Sequence, residues 1–511
     1  MSPTLSLTRP DHTGIVLATA LAALSWAAQA QGSDPDASSS LMGGITVPAT
    51  YKLAVPVPGV EAPAERSPFG VSSWWTVFGD SALNQLEEQS LAANQDLQGA
   101  IAKVTEARAR MGVAGADLYP QVTAPLDVSR QRTTNTGPVT TSRLVGGGFG
   151  AGFPSSFAGQ ALTNTFSDYQ VPLRVSYEVD AFGRVAHSHG QARANAEASL
   201  AYRDGVKLSL TAQVATNYFA LRATDSAVAV LRRTVEVRRD AQQVQERRVR
   251  GGAATDVDLL RAGVELATTE ADLIDAVQQR AELENSLAEF CGQPASAFHL
   301  SDRPLESLAP PAVPATVPAQ LLSQRPDLIE AERRVAATGE GVKAARAQLY
   351  PAISVQGGYG FESSRNNQIF ENQSHTWLIA GAINIPIFDG GRNSSELKIA
   401  RAQNEEACKA YRETALRAFR EVEDALSGLH QRSLQAEARK RAAEDARRVY
   451  DASQRSYNEG GLSYFELIDS QRVLLNSELA QVRTLGGRFA ATVDLIRALG
   501  GSLGESFPSA K

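Results

Sequence analysis

Three observations in this 511-residue chain predict a mixed α and β fold built from one unit used twice. Matching residues recur at two fixed offsets. Short stretches alternate apolar and polar residues with period two. Two proline-free stretches, Val185–Arg250 and Asn393–Glu459, repeat apolar positions at spacings of three and four. At 1.5 Å rise per residue, such helices would run ~100 Å.

Residues Gly14 to Ala30 are apolar and close on Ala28-Gln29-Ala30, a small-x-small cleavage pattern. A signal peptide is expected over residues 1–30, with a mature start near Gln31 and export of the chain. No cysteine stands in this region, so a lipid anchor on an N-terminal cysteine is not expected. Residues 31–73, rich in Ser, Pro, Ala and Gly, read as an extended arm.

The first repeat is expected over residues 74–301. It comprises helices, a strand pair at about 119–182 and a long helical hairpin at about 185–290. A Pro-rich linker follows at 302–318. The second repeat, 319–501, holds a helix, a strand pair at about 351–388 and a hairpin at about 393–499, and 502–511 form a tail. Asp96 and Tyr119-Pro120 recur as Asp327 and Tyr350-Pro351, at an offset of 231. Gly183-Arg184 and Thr255-x-x-Asp258-Leu259 recur as Gly391-Arg392 and Ser463-x-x-Glu466-Leu467, at an offset of 208. The first unit therefore carries 23 extra residues between these anchors, and the Gly-rich stretch Gly146–Gly152 lies among them.

Val122, Ala124, Leu126 and Val128 share one face of a first strand, and Tyr169, Val171, Leu173, Val175, Tyr177 and Val179 one face of a second. Ile353, Val355, Tyr359 and Phe361 mark a third, and Trp377, Ile379, Ile383, Ile385 and Ile387 a fourth. Aromatic residues at the margins (Tyr119, Tyr169, Tyr350, Trp377, Phe388) suit an interfacial girdle. Each long helix ends at a glycine pair, Gly251-Gly252 or Gly460-Gly461, expected to supply left-handed caps. Capping boxes, Thr255…Asp258 and Ser463…Glu466, open the return helices. Four strands cannot close a barrel, since eight is the practical minimum. Either the sheet is small and covered, or several chains share one barrel.

Composition narrows the function. Lys+Arg number 50 against 56 Asp+Glu, a net charge of −6, so no basic field points to nucleic acid. Beyond Ala30 there is no run of 18 apolar residues, which excludes a helical membrane transporter. Two cysteines exclude a disulfide scaffold and a Cys-rich metal site; Cys291 and Cys408 are expected as small apolar core residues. Phosphate-loop, zinc-protease and nucleophile-elbow signatures are missing, so no enzyme, cofactor or metal site is expected. His187-Ser188-His189 is expected to be solvated at the start of a helix.

Several motifs together give the chain a resemblance to the TolC-like outer-membrane efflux channels, and more closely to the outer-membrane components of resistance-nodulation-division multidrug pumps. They are Trp74-Trp75-x-x-Phe78-x-Asp80, the run Tyr177 to Arg184, Arg325-Pro326-Asp327 with Ala331-Glu332, Pro386 to Gly391, and the turn from Gly460 to Arg472. The resemblance spans about Trp74 to Gly501. It implies a homotrimer with a 12-stranded outer-membrane β-barrel, four strands per chain, continued by a long periplasmic α-helical barrel. A periplasmic adaptor protein, an inner-membrane pump and outer-membrane lipid are the implied partners. Many relatives carry a lipidated N-terminal cysteine, which this chain lacks.

Phe465, Asp469 and Arg472 stand at spacings of four and three on one helix face, whereas the first unit has Val257, Arg261 and Val264 there. Three copies of Asp469 on a channel axis would attract cations and disfavour anions. The resemblance implies a pore-closing aspartate at this position with an apolar ring one turn away, where Phe465 stands. Arg472 is expected to pair with Asp469 or with a neighbouring helix. The hairpin tips, through Arg250, Gly251, Gly252, Thr255, Gly460, Gly461 and Ser463, are the expected adaptor docking points. The function expected is the exit duct of a tripartite efflux system. A type I protein-secretion duct and a poreless periplasmic coiled-coil scaffold are the alternatives.

Overall fold

The structure is a computed structural model that describes residues 51–52, 60–61, 73–132, 165–308, 311, 313–314, 322 and 324–501. All of these belong to one compact unit, Val47–Lys511. The expected signal peptide, the Gly-rich stretch and the tail lie outside the described residues, as does most of the arm.

A parallel two-residue pair joins β1 (Val60–Glu61) to Val313–Pro314. Two helices follow, α1 (Ser81–Ala93) and α2 (Gln95–Ala116), and then three strands, β2 (Gln121–Thr123), β3 (Asp127–Arg132) and β4 (Thr165–Val179). The first long hairpin is α3 (Arg184–Arg250) with α4 (Asp256–Phe290). After β5 (Val313–Pro314) come α5 (Pro326–Ala347), β6 (Ala352–Ser363) and β7 (His375–Asn384). The second hairpin is α6 (Arg392–Asn458) with α7 (Tyr464–Ala498). Helices α3 and α6 are both 67 residues long, α4 and α7 both 35, and α2 and α5 both 22. Their boundaries repeat the offset of 208 in the hairpins and of 231 in the shorter helices.

One antiparallel sheet holds the strands in the order β2/β3, β4, β6, β7. The first strand departs from the expectation of a continuous segment: its hydrogen bonding stops across Ala124-Pro125-Leu126. The register to β4 runs unchanged through the gap, from Thr123 opposite Arg174 to Asp127 opposite Gln170. Pro125 thus stands opposite Pro172, and two prolines have no N–H with which to bridge the strands. Opposite Pro172 on its other side is Gly360. A Cβ there would lie 2.4 Å from the Val171 carbonyl oxygen and 2.5 Å from the Pro172 Cα, so the close approach requires glycine. The last strand ends at Asn384 rather than continuing to Ile387, because Pro386 cannot donate to a ladder. Among the described residues, β2/β3 and β7 leave one edge each without a neighbouring strand.

The Trp-Trp motif anchors the core where the hairpins meet. Trp74, Trp75 and Phe78 are buried, with Phe78 tilted against Phe219 at 4.7 Å and Phe219 stacked on Phe489 at 4.6 Å. Asp80 caps α1 by accepting from the Ala82 N–H, accepts the Tyr218 hydroxyl proton at 2.6 Å, and pairs with Arg303 at 3.2 Å. One carboxylate thereby ties together three segments. The Arg-Pro-Asp motif does the same for the second repeat: Arg325 donates to Asp327, to Glu421 at 2.7 Å and to the Ala498 carbonyl at 3.0 Å. Helix α5 packs on both α3 and α6, and α7 packs on α3, so the hairpins are interlocked.

Two expectations need correction. Cys291 is buried but Cys408 is only half-buried; both are free thiols. His187 is not simply solvated, since its Nδ1 lies 2.6 Å from Glu340 and links α3 to α5. The glycine pairs do supply the expected left-handed caps, one residue in each pair. Gly252 (φ 71°) and Gly460 (φ 79°) adopt that conformation, whereas Gly251 has φ −85°.

Candidate functional site at the hairpin tips

The tips are built from turn chemistry. Gly252 and Gly460 occupy the same place in the two units, one residue after the backbone can no longer continue the helix without a left-handed step. Ser463 then opens α7 with a full capping box: its hydroxyl accepts from the Glu466 N–H, and the Glu466 carboxylate accepts from the Ser463 N–H at 3.0 Å. The Ser463 hydroxyl also donates to the Glu466 carboxylate at 2.7 Å, and it and the Ser463 N–H together hold that carboxyl below its usual range. Thr255 opens α4 with half of that box: its hydroxyl accepts from the Asp258 N–H, but the Asp258 carboxylate, one methylene shorter than a glutamate's, meets the Thr255 hydroxyl at 2.9 Å rather than the Thr255 N–H. Arg247, Arg248 and Arg250 crowd the last turn of α3, where cations complement the helix dipole.

Tyr457 ties the two tips to each other. Its hydroxyl accepts from Gln245 at 2.7 Å and from Arg248, whose guanidinium also lies 5.0 Å from the ring centre. Tyr464 packs beside it at 5.8 Å, and burial pushes the Tyr464 hydroxyl up to about 12.

The three residues expected on one face of α7 have different surroundings. Phe465 is exposed, with the Arg261 guanidinium 5.3 Å from its ring centre. Asp469 is exposed and forms no ion pair among the described residues. Arg472 turns away from Asp469 to the other hairpin, where its Nε donates to Glu265 at 2.7 Å and a second N–H reaches the same oxygen. Of the two alternatives for Arg472, the neighbouring helix is realised. The adjacent Glu265 carboxylate raises the Arg472 guanidinium above its ordinary range.

Glu265 is itself buried and shared. Its other oxygen lies 3.0 Å from Arg238, which also donates to the Glu265 carbonyl at 2.8 Å and to the Thr269 hydroxyl. Burial lowers the Arg238 guanidinium. Glu265, Arg238 and Tyr457 were not singled out from the sequence. The signal for Arg238 was available: the buried stripe Val228, Leu231, Val235 continues at spacings of three and seven into Arg238 and Gln245, polar residues on a core-facing row.

A second ion-pair layer lies farther along the hairpins. Arg239 pairs with Glu270 at 2.8 Å in the first and Arg447 with Glu478 in the second, the same pair at equivalent positions of the two repeats. Arg233 reaches across to Glu478 at 2.7 Å. Among the described residues, no group of three or more His, Cys, Asp or Glu side chains is placed to hold a metal ion. None of the described helices is long and apolar enough to cross a membrane.

Comparison with known proteins gives consistent findings. The outer membrane efflux protein family profile matches residues 86–293 and 317–501. The chain is 29% identical over 463 residues to the pyoverdine export outer membrane protein OpmQ of Pseudomonas aeruginosa, covering 90% of this chain and 94% of that protein. It is 27% identical over 432 residues to the cation efflux system protein CusC of Escherichia coli K12, covering 84% and 89%. The outer-membrane channel OprN superposes with a TM-score of 0.78 at 28% identity, covering 90% of this chain and 98% of that one. The open state of the Neisseria gonorrhoeae MtrE outer membrane channel superposes at 0.73 with 25% identity, covering 88% and 98%.

Proposed function

Because the chain belongs to the outer membrane efflux protein family, we propose that it is the exit duct of a tripartite efflux system. In this reading three copies contribute the sheets of one 12-stranded barrel in the outer membrane, and their hairpins form a periplasmic tunnel closed at the tips. An inner-membrane pump supplies the energy, and a periplasmic adaptor docks on the tips at Arg250–Thr255 and Gly460–Ser463. The relatives are named for pyoverdine export and for cation efflux, so one duct architecture serves unlike cargoes.

The observation that carries this reading is that the chain is unfinished in the same way at both ends. Among the described residues its sheet has two unpaired edges and too few strands to close. On α4, Leu260, Val264 and Ile274 are exposed at 69%, 61% and 67%, on one row with Ala267 and Ala271. Such a row is a coiled-coil seam without its partner. A second and third copy complete the sheet and the seam together.

At the tips, Phe465 and Asp469 are exposed and can line an axis, while Arg472 clamps the α7 end to α4 through Glu265. The clamp is the element that holds the tip shut, and opening requires α7 to move off Glu265. Imaging single particles of the mature chain, purified from membranes in detergent, tests the reading. A threefold particle with a helical tunnel of ~100 Å is expected from the helix lengths; a monomer with a closed sheet would overturn it.

A further inference from the structure

The faces of the barrel strands carry charge very unevenly. On the face of Val122, Tyr169, Val171, Leu173, Val175, Tyr177 and Val179, the apolar one, the strands β2, β3, β4, β6 and β7 place no carboxylate. Asp127, Asp168, Glu178 and Glu362 all lie on the opposite face, where Asp127 also pairs with Arg174 at 3.0 Å. The charged side chains on the apolar face are Arg130 and Arg132 of β3, opposite Ser167 and Thr165 of β4. Neither makes an ion pair among the described residues.

Their height is set by the register. From Val179 to Tyr169 the outward side chains of β4 are apolar or aromatic. Ten residue steps at ~3.4 Å make ~34 Å along the strand. Tilted by ~45°, this spans ~24 Å, against an apolar band of ~25 Å on membrane barrels. Tyr169 therefore ends the band at the end of the sheet away from the helices, opposite Val128. Arg130 stands one outward rung beyond it, ~7 Å along the strand, and Arg132 a further rung on. Those rungs fall at headgroup depth rather than in hydrocarbon. At the helical end the outward face closes instead on Tyr177 and Val179, and the nearby Arg184 is occupied by Glu178 at 2.7 Å.

We propose that Arg130 and Arg132 form a binding site for the phosphate groups of lipid A in the outer leaflet. The inference rests on the barrel reading above, which places this face against lipid. Two guanidinium groups on alternate residues present paired donors on one side of the strand, the arrangement that recognises phosphate oxygens. The partner is a lipid rather than a soluble ion because both groups share a face with the apolar band.

The test measures lipid retained by the full detergent-purified assembly, by native mass spectrometry. The probes are bis-phosphorylated lipid A, its dephosphorylated form and inorganic phosphate. The wild type should prefer the phosphorylated lipid, and R130Q/R132Q should weaken that binding about tenfold or more, given roughly fivefold per cation at an anionic surface. R130K/R132K should keep most of it, and millimolar inorganic phosphate should not displace the lipid. Equal retention of both lipids by the wild type would overturn the proposal without any variant. So would unchanged binding in R130Q/R132Q, and displacement by inorganic phosphate would assign the pair to a free ion. Bilayer conductance of the same preparation separates the two readings: a conducting channel indifferent to lipid phosphate sinks this site alone, whereas absence of conductance sinks the duct.

Discussion

Glu265 sits between two guanidinium groups with unlike surroundings, and that difference decides what each bond is worth. Arg238 is buried, so removing its carboxylate partner leaves an uncompensated charge, a loss of about 3–5 kcal/mol. Arg472 is half exposed, and its removal should cost no more than about 1 kcal/mol. Stability and gating therefore separate. Arg472→Ala should leave the melting temperature almost unchanged while raising single-channel conductance severalfold in planar bilayers; Asp469→Ala should also raise conductance and weaken cation preference. Unchanged conductance in both variants would refute the tip as the gate. A different residue governs the pH response. Glu87 is fully buried, with neither carboxyl oxygen hydrogen-bonded among the described residues, and burial raises its pKa well above the usual range. The native state thus holds this proton more tightly than the unfolded chain, so the group costs stability as pH rises above the ordinary carboxylate range. Glu87→Gln should raise the melting temperature at pH 8, and the gain should vanish as the pH is lowered to about 4. A gain that is the same at both pH values would show that the effect is packing rather than charge.

Backbone chemistry governs the elements. The first strand of the sheet keeps its register through a gap in its ladder, since Pro125 and Pro172 oppose each other, and Gly360 lets the next strand close onto Pro172. Gly360→Ala should therefore impair barrel assembly, read as loss of the heat-modifiable, membrane-inserted form. Gly358→Ala, whose Cβ would meet nothing closer than 4.0 Å, should assemble normally. Equal behaviour of the two would mean that the close approach is not limiting. The strand positions and faces were legible from alternation, but the gap was not, because it depends on which residue lies across the sheet. The tip turns were half legible. Two glycine pairs marked the places, yet only Gly252 and Gly460 take the left-handed conformation, a choice made by where the preceding helix runs out of partners.

For the whole molecule, the exposed row Leu260, Val264 and Ile274 has no covering partner among the described residues. Val264→Glu with Ile274→Glu should break the assembly into monomers by native mass spectrometry while far-UV circular dichroism keeps its helical signal. A persistent trimer would place the subunit interface elsewhere. Element types, their order, the twin helix lengths and the faces of the strands could all be read from the chain alone, because they follow from local periodicity, proline and glycine placement and end caps. The common helix face of Phe465, Asp469 and Arg472 belongs with them. Three pairings do not: Arg472 leaves Asp469 for Glu265, Arg238 lies buried beneath that carboxylate, and His187 meets Glu340. The partners stand far apart in sequence, 27 positions for Arg238 with Glu265 and 207 for Arg472 with Glu265. Long side chains choose among several carboxylates within reach, and the choice is settled by how the hairpins pack, which no local pattern encodes.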